Sequence, residues 1–327
     1  MSEEPVYVST GRLPSDEDVR SLVDEAYRRY VDVDAGEVSD AYPALRRASP
    51  ALFGVCVTAV DGRVHAAGDA EAGFTIMSVA KPFTFALVCD ALGPDEVQRR
   101  VGVNATGLPF NALEAVERVD DGRTNPMVNP GAIATASLAP GTDVDDRWRW
   151  VSAGLSRFAG RQLELEDEVY ASASATNHRN RELARLLERR GAIRANARDA
   201  VDLYTRQSCL RVTARDLAVM GATLADGGVN PITRERVVAP DTCRYTLAVM
   251  TTAGLYQTSG DWLYDVGLPG KSGIGGGIVT VSPGKGALGT LSPLLDAAGN
   301  SVRGALAARF LSRRLGLDLF ASAPAAR

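Results

Sequence analysis

Lysine is almost missing from this chain. Its 36 basic side chains include only three lysines, at Lys81, Lys271 and Lys285, and the others are arginines. An arginine keeps its proton inside a protein, whereas burial can lower the pKa of a lysine until it acts as a base. Because this sequence uses arginine for nearly all of its positive charge, Lys81 and Lys271 become candidates for proton transfer.

Histidine is equally scarce, occurring only at His65 and His178. A Ser-His-Asp triad needs one histidine, and a zinc site needs several ligands that come together. The neighbours of His65 predict a strand, and His178 lies beside the start of a predicted helix. We therefore interpret both as structural or surface residues, and we expect neither a histidine-based triad nor a metal site.

Other absences narrow the class of protein. The four cysteines, Cys56, Cys89, Cys209 and Cys243, are widely spaced without a C-x-x-C pair, which is typical of reduced thiols in the cytosol. No apolar run approaches the roughly 18 residues that span a bilayer, and residues 1–5 lack the apolar core of a secretory signal. The net charge of −4 argues against a nucleic-acid-binding surface. We expect a cytoplasmic protein that binds neither nucleic acid nor membrane.

The apolar pattern at the N-terminal side predicts one helix followed by strands. Ser15 and Asp18 have the spacing of a capping box, and apolar residues then recur with helical period. Two β-rich runs flank Asp61 and Gly62, a dipeptide that favours a tight hairpin. From about residue 82 to 225 the pattern becomes mostly helical.

Strands resume near Gly267, and a last helix is predicted near 302–315. This order predicts an α/β fold of the α+β type, in which an antiparallel sheet is flanked by helices and interrupted by an all-helical insertion. We expect a sheet domain from residues 1–82 and 228–327, a helical domain from 83–227, and an active site at their interface.

The first motif with chemical meaning runs from Ser78 to Lys81. Residues three apart share one face of a helix, so the Lys81 amine can lie beside the Ser78 hydroxyl and accept its proton. Pro82 fits only the first turn of a helix, which places Ser78 at the N-terminal end, where free N–H groups and the helix dipole favour an oxyanion. Alone, S-x-x-K is common by chance.

The second motif is Lys271-Ser272-Gly273, which makes these residues secondary catalytic candidates. It begins a glycine-rich stretch that allows a substrate to approach the backbone closely and that can supply an oxyanion donor. A glycine-rich bend in a curved sheet is the alternative interpretation. S-x-x-K followed late in the chain by K-S-G is the pattern of β-lactamases and penicillin-binding proteins, so we predict an acyl-transfer enzyme.

Ordered blocks from about residue 15 to 320 resemble the serine-dependent glutaminase family. The blocks are residues 52–57, 74–83, 125–133, 204–207, 254–256, 267–273, 292–293 and 299–301. The resemblance implies a β-lactamase/DD-peptidase-like fold. It also implies hydrolysis of L-glutamine to L-glutamate and ammonia through a seryl acyl-enzyme, no cofactor, and a homo-oligomer that is a dimer or tetramer.

Carried over by position, the resemblance implies catalytic roles for three residues. Ser78 corresponds to the nucleophile, Lys81 to its base partner and Tyr256 to a tyrosine that shuttles a proton at the serine. The substrate-binding positions that it implies are Asn129, Asn180, Tyr204 and Ile274. Ile274 would act through its main-chain N–H.

Three departures from the family pattern, at Ala41, Met77 and Ala173, fall on substrate recognition. The family has glutamate at the position of Ala173, so the carboxylate expected to pair with the substrate ammonium is missing. Removing the only partner of a buried charge costs on the order of 3–5 kcal/mol. We therefore expect free glutamine to bind poorly unless Asp167, Glu168 or another acid takes its place.

Three functions stay open, and each takes a small molecule as its partner. The first is glutamine hydrolysis, and the second is an amidase or acyltransferase reaction on a modified glutamine-like or γ-glutamyl substrate. The third is a non-catalytic pseudoenzyme that binds a ligand in the same pocket. A β-lactamase or penicillin-binding role is disfavoured because the middle motif, from Asn125 to Asn129, differs from Ser-Asp-Asn.

Overall fold

The computed structural model of the protein describes residues 11–322. The acidic segment 1–5, on which the prediction about a secretory signal rests, and the last residues of the predicted sheet domain lie outside the described residues. Within the described part, no helix is both long and apolar enough to cross a membrane.

Helices and strands account for most of the described chain. The α-helices are α1 Asp16–Tyr30, α2 Ala80–Leu92, α3 Pro94–Val101, α4 Glu114–Glu117, α5 Asn129–Ser137, α6 Val144–Ala159, α7 Asp167–Thr176, α8 His178–Arg189, α9 Ala197–Ser208, α10 Ala214–Ala225, α11 Pro240–Ala253, α12 Ser259–Val266 and α13 Val302–Arg314. The strands are β1 Glu37–Val38, β2 Gly54–Ala59, β3 Val64–Gly68, β4 Phe74–Thr75, β5 Glu164–Leu165, β6 Leu210–Val212, β7 Gly270–Ser272, β8 Gly277–Ser282, β9 Gly286–Leu291 and β10 Leu294–Leu295. Short 3₁₀ helices cover Leu45–Arg47, Met77–Val79 and Tyr256–Thr258.

The main sheet is antiparallel and has the strand order β3-β2-β9-β8-β7. Helices α1, α12 and α13 contribute apolar side chains, such as Val23, Trp262 and Leu311, to a core shared with β2, β8 and β9. Helix α10 lies against β9, β8 and β2, where a Cβ at Gly289 would lie 2.0 Å from the Ala214 carbonyl oxygen. The sheet is therefore covered by helices, as the order of elements predicts.

Two local sequence motifs, the helix cap at Ser15 and the turn at Asp61-Gly62, have the structures that they predict. Ser15 caps α1 by accepting from the Asp18 N–H, so the predicted helix start is confirmed. The Asp61-Gly62 hairpin is also confirmed: β2 and β3 pair antiparallel, and Gly62 has φ +93°. Positive φ is easily adopted by glycine and not by most residues, which explains why the turn uses it.

Most of the predicted helical segment packs in a core that it shares with β8 and β9 of the main sheet through Val279, Val281 and Ala287. Helices α2, α5, α6, α8 and α9 bury a continuous apolar cluster that includes Phe83, Ile133, Phe158 and Leu187. Two short strands in this segment, β5 and β6, were not predicted. They form a three-stranded sheet with β4, in the order β4-β6-β5. The proposed division into two domains stays a prediction.

Candidate active site

Ser78 lies where a short 3₁₀ helix, Met77–Val79, runs directly into α2. Strand β4 ends two residues before this 3₁₀ helix and is held by pairing with β6. Ser78 is 7% exposed, so it is sheltered while still lining a cleft that opens to solvent. The sequence places it at the N-terminal end of a helix, and the structure confirms that position.

Lys81 stands in the first turn of α2 and is 2% exposed. Its Nζ donates to the Asn129 Oδ1 at 2.7 Å and to the Met127 carbonyl oxygen at 3.3 Å. Burial lowers the pKa of Lys81 to about 7, because a charged ammonium loses its hydration inside the protein. A large fraction of this amine is therefore neutral at neutral pH.

Asn129, the first residue of α5, connects Lys81 to the helical side of the cleft. Its Oδ1 also accepts from the Tyr204 hydroxyl at 3.1 Å, and its Nδ2 donates to the Asn180 Oδ1 at 2.9 Å. Residues from α2, α5, α8 and α9 thus meet in one buried hydrogen-bond network. Because every link is directional, the network holds the Lys81 amine in one position.

Two tyrosines lie at Ser78. Burial raises the pKa of Tyr256 to about 12, with hydrogen bonding to Ser78 and Ser272 acting in the opposite direction. Burial also raises the pKa of Tyr204 well above its usual value, again opposed by hydrogen bonding to Ser78. Both phenols are therefore protonated near neutral pH, so they can pass or donate a proton but do not begin as phenolate bases.

Lys271 is a second buried lysine, fully inaccessible in β7. Its Nζ donates to the carbonyl oxygens of Gly254 at 2.8 Å and of Ser272 at 2.6 Å, and it lies 4.1 Å from the ring centroid of Tyr256. The Ser272 carbonyl also accepts from the Tyr256 hydroxyl at 3.2 Å. Burial and the nearby charge of Lys81 lower the pKa of Lys271 well below its usual range. Lys271 thus links β7 to the segment that carries Tyr256.

The glycine-rich turn between β7 and β8 packs against the chain around Ser78. A Cβ on Gly273 would lie 3.2 Å from the Ser78 nitrogen and 3.0 Å from the Ile76 carbonyl oxygen. A Cβ on Gly275 would lie 2.4 Å from the Thr75 carbonyl oxygen. Side chains at these two positions would push the turn away from the serine, so glycine is required for the close approach.

Backbone strain is concentrated at the same place. Within residues 11–322, only three residues other than glycine have positive φ, and two of them are Met77, at 48°, and Tyr256, at 59°. Such conformations cost free energy and persist where the surroundings enforce them, often at functional sites. Met77 directly precedes Ser78, and Tyr256 lies against it.

The cleft has a volume of about 190 Å³ and brings all of the substrate-binding candidates together. Asn129, Asn180, Tyr204 and Ile274 line it with Ser78. Ala41 and Met77, two of the three departures from the family pattern, also line it, next to Tyr42. The sequence predicted no binding role for the other lining residues, which are Phe110, Asn111, Thr176, Asn177, His178, Arg179 and Ser208. The stretch 177–179, directly before Asn180, is the one sequence signal that points to any of them.

Ala173, the position of the missing carboxylate, is completely buried in α7. It belongs to an apolar cluster with Met77 and Cys209, against which Tyr42 and Ile274 pack. Neither Asp167 nor Glu168 lines the cleft, and Glu168 pairs instead with Arg47. Among the described residues that line the cleft there is no aspartate or glutamate. The expected carboxylate is thus not replaced by another one.

No group of three or more histidine, cysteine, aspartate or glutamate residues that could hold a metal ion occurs in the described part of the chain. The four cysteines are buried, and burial raises the pKa of each thiol to about 12. His65, on β3, is buried, and its Nε2 lies 3.1 Å from the Oδ1 of the partly exposed Asp16. His178 is exposed at the mouth of the cleft.

Comparison with known proteins finds relatives along almost the whole chain. The family model described as Glutaminase matches residues 36–320. The chain is 63% identical to "Glutaminase 2" of Yersinia pestis over 318 residues, which cover 97% of this chain and 94% of that protein. It is 45% identical to "Glutaminase" of Mycobacterium ulcerans over 316 residues, which cover 97% of both.

Solved structures give the same result. The structure of "Probable glutaminase ybaS" matches with a TM-score of 0.93 and 41% identity, covering 94% of this chain and all of that one. The structure of "Mglu in its glutamate form" matches with a TM-score of 0.86 and 38% identity, covering 93% of this chain and 70% of that one. These matches confirm the predicted β-lactamase-like fold.

Proposed function

Because the chain belongs to the glutaminase family, we propose that it hydrolyses the side-chain carboxamide of L-glutamine or a close analogue through an acyl-enzyme on Ser78. The observation that carries this proposal is the buried Lys81 amine, whose pKa lies near 7 one helical turn from the serine. A neutral amine at that position is the base that a serine nucleophile needs.

The contacts of Lys81 support its role as that base. A neutral amine has two N–H donors and one lone pair. Its two hydrogen bonds, to Met127 and Asn129, occupy both donors and leave the lone pair for the Ser78 proton. Burial disfavours the charged ammonium, so the same surroundings that hold the amine also favour its neutral form.

In the proposed reaction, Ser78 Oγ attacks the carboxamide carbon as its proton moves to Lys81. The developing oxyanion accepts from the main-chain N–H groups of Ser78 and Ile274, whose approach the glycines of the turn permit. The C–N bond then breaks, and the departing nitrogen takes the proton from Lys81 through the Tyr256 hydroxyl and leaves as ammonia. Water attacks the resulting ester, returns a proton to Ser78 and releases the acid.

The binding residues have matching roles. Asn129 and Asn180 present amide groups that can both donate and accept, which suits an amino-acid head group. Tyr204 holds Asn129 in place and closes the side of the cleft next to Lys81. We also propose that the cleft lies between the two predicted domains, because Ser78 and Ile274 face it from one side and residues of α5, α8 and α9 from the other. The cytoplasmic location and the homo-oligomer stay predictions.

Ammonia and glutamate formation by the purified protein tests this proposal. We expect the two products in equal amounts, and a Ser78→Ala variant should lose activity by about 10⁴-fold or more. Ser208→Ala is the matched control, since this serine lines the same cleft but donates to the Tyr204 carbonyl oxygen. Acid-quenched wild-type protein should carry the acyl group on the Ser78 peptide. Full activity in Ser78→Ala would overturn the proposal.

A further inference from the structure

We propose that the preferred substrate is a glutamine whose α-nitrogen is acylated, so that it presents a carboxamide and an α-carboxylate but no α-ammonium. This inference rests on the proposed function and specifies which amides the Ser78 site accepts. The lack of a carboxylate among the described lining residues and the apolar environment of Ala173 carry it.

The first argument is the sign of the charge around the cleft. The described lining residues include no carboxylate, whereas His178 and Arg179 stand at the mouth. A substrate ammonium would therefore find no counter-charge among the described lining residues, and the guanidinium of Arg179 is the charged group at the mouth. A substrate carboxylate is favoured by the same surroundings.

The second argument is that the acidic side chains near the cleft form hydrogen bonds or ion pairs with other residues. Asp202, on α9, accepts from the Tyr170 hydroxyl and pairs with Arg206 at 2.8 Å. Glu168 pairs with Arg47 on the outer surface. Each of these two carboxylates already pairs with an arginine, so it could reach the cleft only by breaking that ion pair.

The third argument is the apolar wall where a carboxylate would be needed. Ala173 is fully buried, and Tyr42, Met77 and Ile274 separate it from the cleft that they line. Acylation of the α-nitrogen removes the positive charge and adds apolar surface that can pack on these three side chains. Asn180 uses its Oδ1 on Asn129, so its N–H₂ end is the donor for the α-carboxylate.

The chemistry is unchanged by the acyl group. Ser78 Oγ forms an ester with the side-chain carbonyl carbon, the C–N bond of the carboxamide breaks, and the nitrogen leaves as ammonia after taking one proton. Water then cleaves the ester and yields the N-acylglutamate. Only water is consumed, and the amide on the α-nitrogen stays intact.

Three amides distinguish the possibilities in the wild-type protein: L-glutamine, N-acetyl-L-glutamine and 4-carbamoylbutanoate, which has no α-nitrogen. Because an unpaired ammonium in a sheltered site is costly, we expect kcat/KM for N-acetyl-L-glutamine to exceed that for L-glutamine by about 100-fold. 4-Carbamoylbutanoate should also exceed L-glutamine. The kcat/KM for L-glutamine relative to that for N-acetyl-L-glutamine should rise with pH as the free amine loses its proton. The titration of Lys81 affects both substrates equally and therefore cancels in this ratio.

A variant tests the role of the wall. Ala173→Glu should shift the preference back toward L-glutamine by at least about tenfold, while Ala171→Glu, on an exposed position of the same helix, should not. If Ala173→Glu does not fold, the wild-type comparison still decides. Equal or faster hydrolysis of L-glutamine would overturn this inference and leave the proposed function intact. No ammonia from any of the three amides would instead overturn the proposed function.

Discussion

The two ends of the cleft differ in how they are built. The reacting end, defined by Ser78, Lys81 and Tyr256, is buried, lies on strained backbone and holds a lysine whose pKa is near 7. The binding end, defined by residues 177–180, is partly exposed and carries no carboxylate. We expect the reacting end to determine which bond is broken and the binding end to determine which molecule is accepted.

The largest effect is expected at the reacting end, from Lys81→Met. This change keeps an unbranched side chain in place but removes the base, and general bases contribute about 10²–10⁴-fold to rate. We expect kcat to fall by roughly 10³-fold with KM little changed, measured by ammonia release. Lys81→Arg should fail equally, because arginine cannot give up its proton. Activity in Lys81→Arg would show that the charge matters and the base does not.

The pH dependence of wild-type activity should come from the same amine. Lys81 accepts a proton only when neutral, so kcat/KM for N-acetyl-L-glutamine should level off above pH 7 and fall about tenfold per unit well below it. The charge of that substrate is constant over this range. An unchanged kcat/KM between pH 6 and pH 8 would show that the rate does not depend on the protonation state of Lys81.

The other buried lysine should behave differently. Lys271→Met would leave the Gly254 and Ser272 carbonyl oxygens without this donor, and an unsatisfied buried group costs about 1–3 kcal/mol. We expect urea unfolding to show a loss of roughly 2 kcal/mol, with a smaller loss of kcat than in Lys81→Met. Unchanged stability with abolished catalysis would make Lys271 the base instead.

At the binding end, the effects should be smaller and should appear in KM. Arg179 is exposed and shares its charge with Glu182 at 3.2 Å, so Arg179→Ala should raise KM by about 2–5-fold at low salt. The effect should shrink as salt screens the charge. Arg189→Ala, in the last turn of the same helix, is the control. A change in kcat without a change in KM would place Arg179 at the reacting end.

The same contrast explains what the sequence could predict. Ser78 and Lys81 are close in sequence, and helical spacing alone puts them on one face. This part of the reacting end could therefore be predicted from a local sequence pattern. Phe110 and Asn111 reach the cleft only through tertiary packing, and no local pattern marks them. The strands β5 and β6 were missed because two or three residues are too few to show the alternation that identifies a strand.

The central claim is that Lys81 titrates near pH 7, so that a large fraction of its amine is neutral there, and the scarcity of lysine makes this directly measurable. Protein labelled with ¹⁵N at the lysine side-chain nitrogens should give signals from only three lysines. We predict that one signal titrates near pH 7 and is missing in Lys81→Met. A Lys81 signal that titrates near its usual value of 10.5 would contradict the account.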